Sequence, residues 1–201
     1  ERLIAVHAVH LESDEIALLA QRGASVAHCP ASNLKLGSGI APVAELLAAG
    51  VNVGIGTDGA ASNDRIDMVS ELRLAALLAK GVRRDPSALP APAALEAATL
   101  GGARALGLER RIGSIEAGKE ADLAAFDLSS LETQPVFDPV TQLVYAAGRE
   151  HATDVWVAGR SVVRMRQVLA EAQAREPGQT AALVHAWQNR CRQALQTAGL
   201  A

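Results

Sequence analysis

The feature that most constrains this chain is a rhythm repeated three times in its first eighty residues, a short apolar run followed by an amphipathic helical run. "RLIAVH" (2–7) leads into "SDEIALLAQRG" (13–23), which reads as a helix with Ser13 as N-cap and Gly23 as its stop. "ASVAHCP" (24–30) leads into "APVAELLAAG" (41–50), with Pro42 near the helix start and Gly50 just past its end. "VNVGIGTD" (51–58) leads into a helix expected from about Asn63 or Asp64 to Lys80, with Ile66, Val69, Leu72 and Ala76 on one apolar stripe. Short apolar strands alternating with amphipathic helices predict a parallel sheet with helices packed outside it. A closed barrel and an open doubly wound sheet both satisfy that rhythm.

Beyond residue 80 the pattern changes. A fourth helix, "PAPAALEAATLGGARALG" (90–107), follows with no strand before it. "RIGSIEAGKEADLAAFDL" (111–128) reads as short strands around a Gly-Lys turn, and "ATDVWVAGRSVVRM" (152–165) as a hairpin turning at Ala158-Gly159, with a short helix over 138–148 between them. The tail from about Gln167 to Leu200 reads as helical, broken at Pro177-Gly178. The expected organisation is therefore 1–108, 109–166 and a helical 167–201.

Composition narrows the class. The chain is 49% hydrophobic but 2% aromatic, so its core must be aliphatic. A net charge of −3 with mixed signs argues against a nucleic-acid or polybasic membrane surface. No apolar run approaches the roughly 20 residues of a membrane span, and no signal-peptide pattern is read at the start. Two widely spaced cysteines, Cys29 and Cys191, suit a reducing cytoplasm better than a disulfide scaffold. The opening "ERLIAVHAVHL" lies already inside an apolar strand with no initiator Met, so the chain is expected to be a piece of something longer.

Gly54, Gly56 and Gly59 spell G-x-G-x-x-G after a strand-like run, the outline of a dinucleotide-binding loop. That loop needs a second strand ending in an acidic residue about 20 residues on. Here "VRRDPSALPAP" follows the helix instead, and Asp58 puts a carboxylate where a pyrophosphate would approach. The alternative is that Asp58 itself matters, beyond the turn role common to Thr-Asp-Gly. His7 closes the first apolar run, His28 the second and Asp58 the third. In a parallel α/β barrel such strand ends open onto one face, where active sites are built. His28 is balanced between that face and the following loop, and Cys29 reads as a small hydrophobe. His10, His151 and His185 read as solvated or capping residues.

"AVHAVHL", "HCPASNLKLGSGIAPV", "GTDGAASNDRIDMVSELRLAALLAK" and "GSIEAGKEADLAAFDL" together resemble the amidohydrolase superfamily, and within it the methylthioadenosine/S-adenosylhomocysteine deaminase branch. The resemblance runs to about Met165. It implies a (β/α)8 TIM barrel carrying a small β-sandwich, with the runs ending at His7, His28 and Asp58 as barrel strands six, seven and eight. It further implies one divalent metal ion, zinc, held by a His-x-His pair after strand one, a His after strand five and an Asp after strand eight. That last ligand maps onto Asp58, and the strand-six histidine that contacts the attacking water maps onto His7. The other ligands have no counterpart, and His7-x-x-His10 has the wrong spacing to replace them, so the missing N-terminal barrel half is expected to be needed.

The implied activity is hydrolytic deamination of an adenosine-type compound by metal-activated water, with Asp58 moving the proton and His7 steadying the attacking oxygen. Ser62 and Asn63 are expected to cap the next helix. The expected partner is an aminopurine nucleoside-like small molecule, with no nucleic acid or membrane, and a homo-oligomer left open. Two rivals stand beside this reading: a guanine-type deaminase or triazine hydrolase on the same scaffold, and a half-barrel module without catalysis.

Overall fold

In the computed structural model, which describes residues 3–169 and 177–198, the three opening runs form parallel strands β1 (Ile4–Val6), β2 (Ser25–His28) and β3 (Asn52–Ile55) in the order β1-β2-β3. Val6 lies opposite Ala27, and Ala27 opposite Gly54, so the three strands end level with one another. Two further backbone bonds extend the pairing past the strands: His7 N donates to Ala27 O and Gly56 N to His28 O, both at 2.9 Å. Level ends matter because whatever follows each strand is delivered to the same edge.

Helices cover the sheet. α1 (Ser13–Gln21) starts one residue earlier than expected: Glu12 is the N-cap and Ser13 the first helical residue, with the Glu15 carboxylate accepting the Glu12 backbone N–H at 2.8 Å. Gly23 takes a left-handed φ just past the helix, as its place in the sequence suggests. The stretch after β2 is not plain loop. It forms α2 (Pro30–Lys35), with Pro30 at its first position, where a missing N–H costs nothing. α3 (Val43–Ala48) follows as anticipated.

The expected helix from Asn63 or Asp64 is two helices. α4 (Ala60–Asn63) is a single turn, and α5 (Met68–Arg83) begins only after Asp67, whose carboxylate accepts from Val69 N and Ser70 N. Asp67 is therefore the cap assigned above to Ser62 and Asn63. Ile66, assigned to the apolar stripe, lies before the helix in a left-handed backbone conformation and is exposed. The buried stripe of α5 is Leu72, Ala75, Ala76 and Ala79, joined by a carboxylate, Glu71.

The helix expected over 90–107 is α6 (Ala91–Glu96), a π-helical turn at Ala97–Gly101 and α7 (Gly102–Leu106). The widened turn coincides with a close approach: a Cβ on Gly101 would stand 2.3 Å from Val53 O, and one on Gly54 would stand 3.1 Å from the Gly102 Cα. Gly54 thus serves helix–strand packing rather than a phosphate loop, and no strand of the parallel sheet follows β3 among the described residues.

α8 (Pro139–Tyr145) places Val144 in the same core as Val26, Leu46, Val53, Leu72 and Ala94. That core is aliphatic, as composition requires. A second sheet is antiparallel, in the order β4 (Leu123–Phe126), β5 (Ala152–Val157), β6 (Arg160–Arg164) and β7 (Gln167–Val168). The β5–β6 hairpin turns at Ala158-Gly159, both with positive φ, as expected. Of the short strands expected over 111–128, β4 alone forms, and β7 replaces the start of the expected tail helix. α9 (Pro177–Thr197) carries the helical tail, while 170–176 and 199–201 lie outside the described residues. No described helix is long and apolar enough to cross a membrane.

Candidate active site at the strand ends

His7 and Asp58 emerge side by side from β1 and β3, His7 Nε2 lying 3.8 Å from Asp58 Oδ2. Their side chains are 40% and 34% exposed, open enough for a small molecule to reach both. Both residues hold positive φ, 70° at His7 and 62° at Asp58, and Ala8 follows at 48°. Left-handed backbone at non-glycine residues costs of order 1–3 kcal/mol where the surroundings enforce it, and it clusters at functional sites. Here it lets the chain leave each strand end while turning the side chain back over the sheet edge.

The Asp58 carboxylate is held on both oxygens. Oδ1 accepts Gly59 N at 2.7 Å, while Oδ2 accepts Ser32 Oγ at 2.7 Å and Ser62 Oγ at 2.9 Å. The Ser32 hydroxyl, then the Gly59 N–H and the Ser62 hydroxyl, draw its pKa down to about 2, so it is ionised at neutral pH. A carboxylate offers about four lone-pair sites, and these three donors leave one on Oδ1. His7 is anchored through Nδ1, 2.8 Å from Asn33 Oδ1.

α2 therefore serves both residues, Ser32 reaching Asp58 and Asn33 reaching His7. It is itself clamped: Glu71 of α5 accepts Ala31 N at 3.0 Å and Asn63 Nδ2 at 2.6 Å. Burial pushes the Glu71 carboxyl up, against the pull of those two donors. Asn63 Nδ2 also donates to Thr57 O at 2.8 Å, and Lys35 Nζ to Ala61 O at 2.9 Å. Ser32, Asn33 and Glu71 were not singled out in the sequence. The available signals were "PASN" directly after a strand-ending histidine and a carboxylate on the buried stripe of a helix.

The remaining histidines divide. His28, at the end of β2, is buried, and burial followed by the neighbouring His7 lowers its pKa to about 4, so it stays neutral. His10 and His185 are exposed. His151 is not the solvated residue expected: it is buried, with Nε2 3.1 Å from Ser130 Oγ and Nδ1 accepting Gly148 N at 3.0 Å. One of its partners, Ser130, lies 21 residues earlier, which its local sequence does not reveal. Cys29 is buried and burial pushes its thiol up to about 11, a small hydrophobe rather than a nucleophile.

Metal binding is met in part. A catalytic zinc takes three protein ligands, and among the described residues no group of three His, Cys, Asp or Glu side chains could hold one. Asp58 alone offers a carboxylate of the right chemistry for a hard or borderline cation, with the His7 ring 3.8 Å away.

Known proteins resemble most of this chain. The model of the amidohydrolase family matches residues 1–162. A 5-methylthioadenosine/S-adenosylhomocysteine deaminase of Moorella thermoacetica is 55% identical over 166 residues, 83% of this chain and 39% of the relative. One of Natronomonas pharaonis is 50% identical over 81% of this chain and 37% of its own length. Among solved structures, an adenosine deaminase from Xanthomonas campestris with bound zinc superposes with a TM-score of 0.90 at 53% identity, over 95% of this chain and 43% of that one. Atrazine chlorohydrolase from Arthrobacter aurescens, complexed with zinc, superposes at 0.80 with 34% identity, over 91% and 40%. The chain spans about two-fifths of the length of the curated relatives it matches. With its level strand ends, its paired His7 and Asp58 and a family model matching 162 of 201 residues, the chain belongs to the amidohydrolase family.

Proposed function

We propose that this chain carries part of the active site of a metal-dependent hydrolase that deaminates an adenosine-type compound, of the methylthioadenosine or S-adenosylhomocysteine kind. The observation that carries the reading is the juxtaposition of His7 with an ionised, triply hydrogen-bonded Asp58 at level strand ends. Relatives named as deaminases of those compounds, at 50 to 55% identity, support it. On this reading β1, β2 and β3 are barrel strands six to eight, and the antiparallel sheet is part of a β-sandwich. Asp58 is a metal ligand, and the remaining ligands lie on segments outside these 201 residues.

A bound zinc ion supplies one thing, lowering the pKa of a water from 15.7 to about 7. The rest falls to the chain. Deamination adds water to the ring carbon and releases ammonia, so a proton must leave the water and reach nitrogen. Asp58 accepts it at the free site on Oδ1. A carboxyl with a pKa near 2 does not retain a proton at neutral pH, so Asp58 passes it on to the ring nitrogen or the departing amine. The serine hydroxyls and Gly59 N–H that hold Asp58 ionised also keep it from rotating away from the water. His7 keeps the water's oxygen in place from the opposite side.

The test is ammonia release by the protein at full natural length with zinc, comparing 5′-methylthioadenosine and S-adenosylhomocysteine with guanine and a chlorotriazine. Turnover of the nucleosides by H7A and D58N variants at the parent rate would sink the reading. Preference for the triazine would instead favour the rival suggested by the chlorohydrolase likeness.

A further inference from the structure

His7 is held at two places by neighbours of different kinds. Its backbone N–H pairs with Ala27 O, and its ring Nδ1 meets Asn33 Oδ1 at 2.8 Å. Asn33 is almost fully buried, and its Nδ2 has no hydrogen-bond partner among the described residues. Leaving a buried amide donor unpaired costs about 1–3 kcal/mol. An asparagine serving packing alone would carry that cost with no return, since an apolar residue of similar shape avoids it. The carbonyl end of Asn33 is what this position uses.

Its position is closely determined. Asn33 sits in the middle of α2, whose first turn is pinned by Glu71 through Ala31 N and whose last residue, Lys35, donates to Ala61 O and Asp64 Oδ2. The other side of the ring is constrained differently. Nε2 stands 3.8 Å from Asp58 Oδ2, beyond hydrogen-bond reach, and that oxygen already accepts both serine hydroxyls. Asp58 therefore does not hold a proton on Nε2.

We infer that Asn33 is a positioning residue that fixes His7 as its Nδ1–H tautomer and turns an unprotonated Nε2 toward the open side of Asp58. This rests on the functional reading given above. The carbonyl of Asn33 accepts the Nδ1 proton, and neutral imidazole has one N–H, so Nε2 is left as an acceptor. A water between Nε2 and Asp58 Oδ1 then has an acceptor for each of its two hydrogens, and its lone pair points at the substrate. Without the Asn33 carbonyl the ring turns freely and populates both tautomers. In the Nε2–H form it offers the water a donor, and the lone pair is drawn away from the reacting carbon.

The experiment uses the full-length protein labelled with 15N-histidine, at a pH about two units above the usual histidine value of ~6.5. His7, identified by its absence in H7A, is expected as the Nδ1–H tautomer in the parent. It should become a mixture or the Nε2–H form in N33A. In N33D, where a carboxylate oxygen accepts the same proton, the parent tautomer should return. Losing an orienting partner of this kind costs about 10- to 100-fold. N33A should therefore lower kcat by about that much with KM changed less than about threefold, and N33D should recover about tenfold of the loss. An Nε2–H tautomer in the parent, or an unchanged tautomer in N33A, would overturn the inference while leaving the functional reading intact. A changed tautomer with unchanged kcat would remove its role in turnover. Parental turnover by H7A would instead condemn the functional reading itself.

Discussion

In the parallel sheet, Val26 and Val53 are buried beneath helices, and the residues that follow the strands are tied to one another by side-chain hydrogen bonds. In the antiparallel sheet no described strand residue is buried. One apolar side faces a cleft of about 720 Å³, lined among others by Leu95, Leu123, Phe126 and Trp156. The difference teaches where positional precision comes from. Strand pairing alone exists in both sheets. What the parallel sheet adds is a close-packed aliphatic core that leaves its strand ends no freedom, so that loops leaving them can be held in left-handed backbone. The antiparallel sheet is held by ladder bonds and a tight turn, and its register shifts between Ala125 and Phe126 and between Val155 and Trp156.

The largest contrast should appear in turnover. D58N in the full-length protein is expected to reduce kcat by more than about 10⁴-fold, above the usual range for removing one acid–base group, because metal holding and proton acceptance fail together. The matching change in β5, D154N, disturbs one bond from Met165 N at 3.3 Å and should leave kcat within about twofold. Steady-state rates of both variants decide it. Comparable losses would mean that the two sheets share the chemistry.

Stability should differ next. Leu46 is fully enclosed, and L46A is expected to cost about 2–5 kcal/mol, whereas L123A on the half-buried β4 should cost about 1 kcal/mol. Urea midpoints at unchanged slope give both values. Equal losses would erase the distinction between a packed and an open sheet.

Acid should loosen the parallel sheet through His28. Its folded pKa of about 4 lies below the unfolded value near 6.5, so between those values the unfolded chain binds more protons. The stabilisation is complete above pH 6.5 and is lost as pH falls toward 4, on the order of 3 kcal/mol in all. Denaturation at pH 7 and pH 5 should show this loss, and H28N should flatten it. An unchanged slope in H28N would assign the acid sensitivity elsewhere.

The smallest effect is expected at the hairpin. Gly159 holds φ +75°, and a Cβ there would make only an ordinary 3.9 Å contact with Ala121 Cβ, so G159A should cost about 1 kcal/mol by backbone strain. G101A, whose Cβ would meet Val53 O, should cost more, about 1–3 kcal/mol. Thermal melts rank the pair, and a reversed order would contradict the picture of a tightly packed π turn against β3.

Much of the fold is legible in the sequence alone. Apolar runs ending in Ser, Gly and Pro signals placed β1, β2, β3, α1, α3 and α8, because burial and capping act over a few neighbouring residues. The Ala158-Gly159 turn was readable for the same reason. Elements decided by distant partners were not. The π turn at Ala97–Gly101 accompanies a backbone contact to Val53 more than forty residues away in sequence, and the buried His151 meets Ser130, 21 residues before it.

The same division holds at the site. The sequence by itself determined that His7, His28 and Asp58 lie at the ends of three strands of one parallel sheet, since period, length and terminators are local properties. It determined the family through motifs that span 162 residues. Only the tertiary structure decided that His28 turns inward while His7 and Asp58 meet at 3.8 Å. It also decided that Ser32, Asn33 and Glu71 hold them there. Hydrogen bonds across 26 to 40 residues depend on how helices seat on a sheet, and that seating follows from the packing of the whole core rather than from any window of sequence.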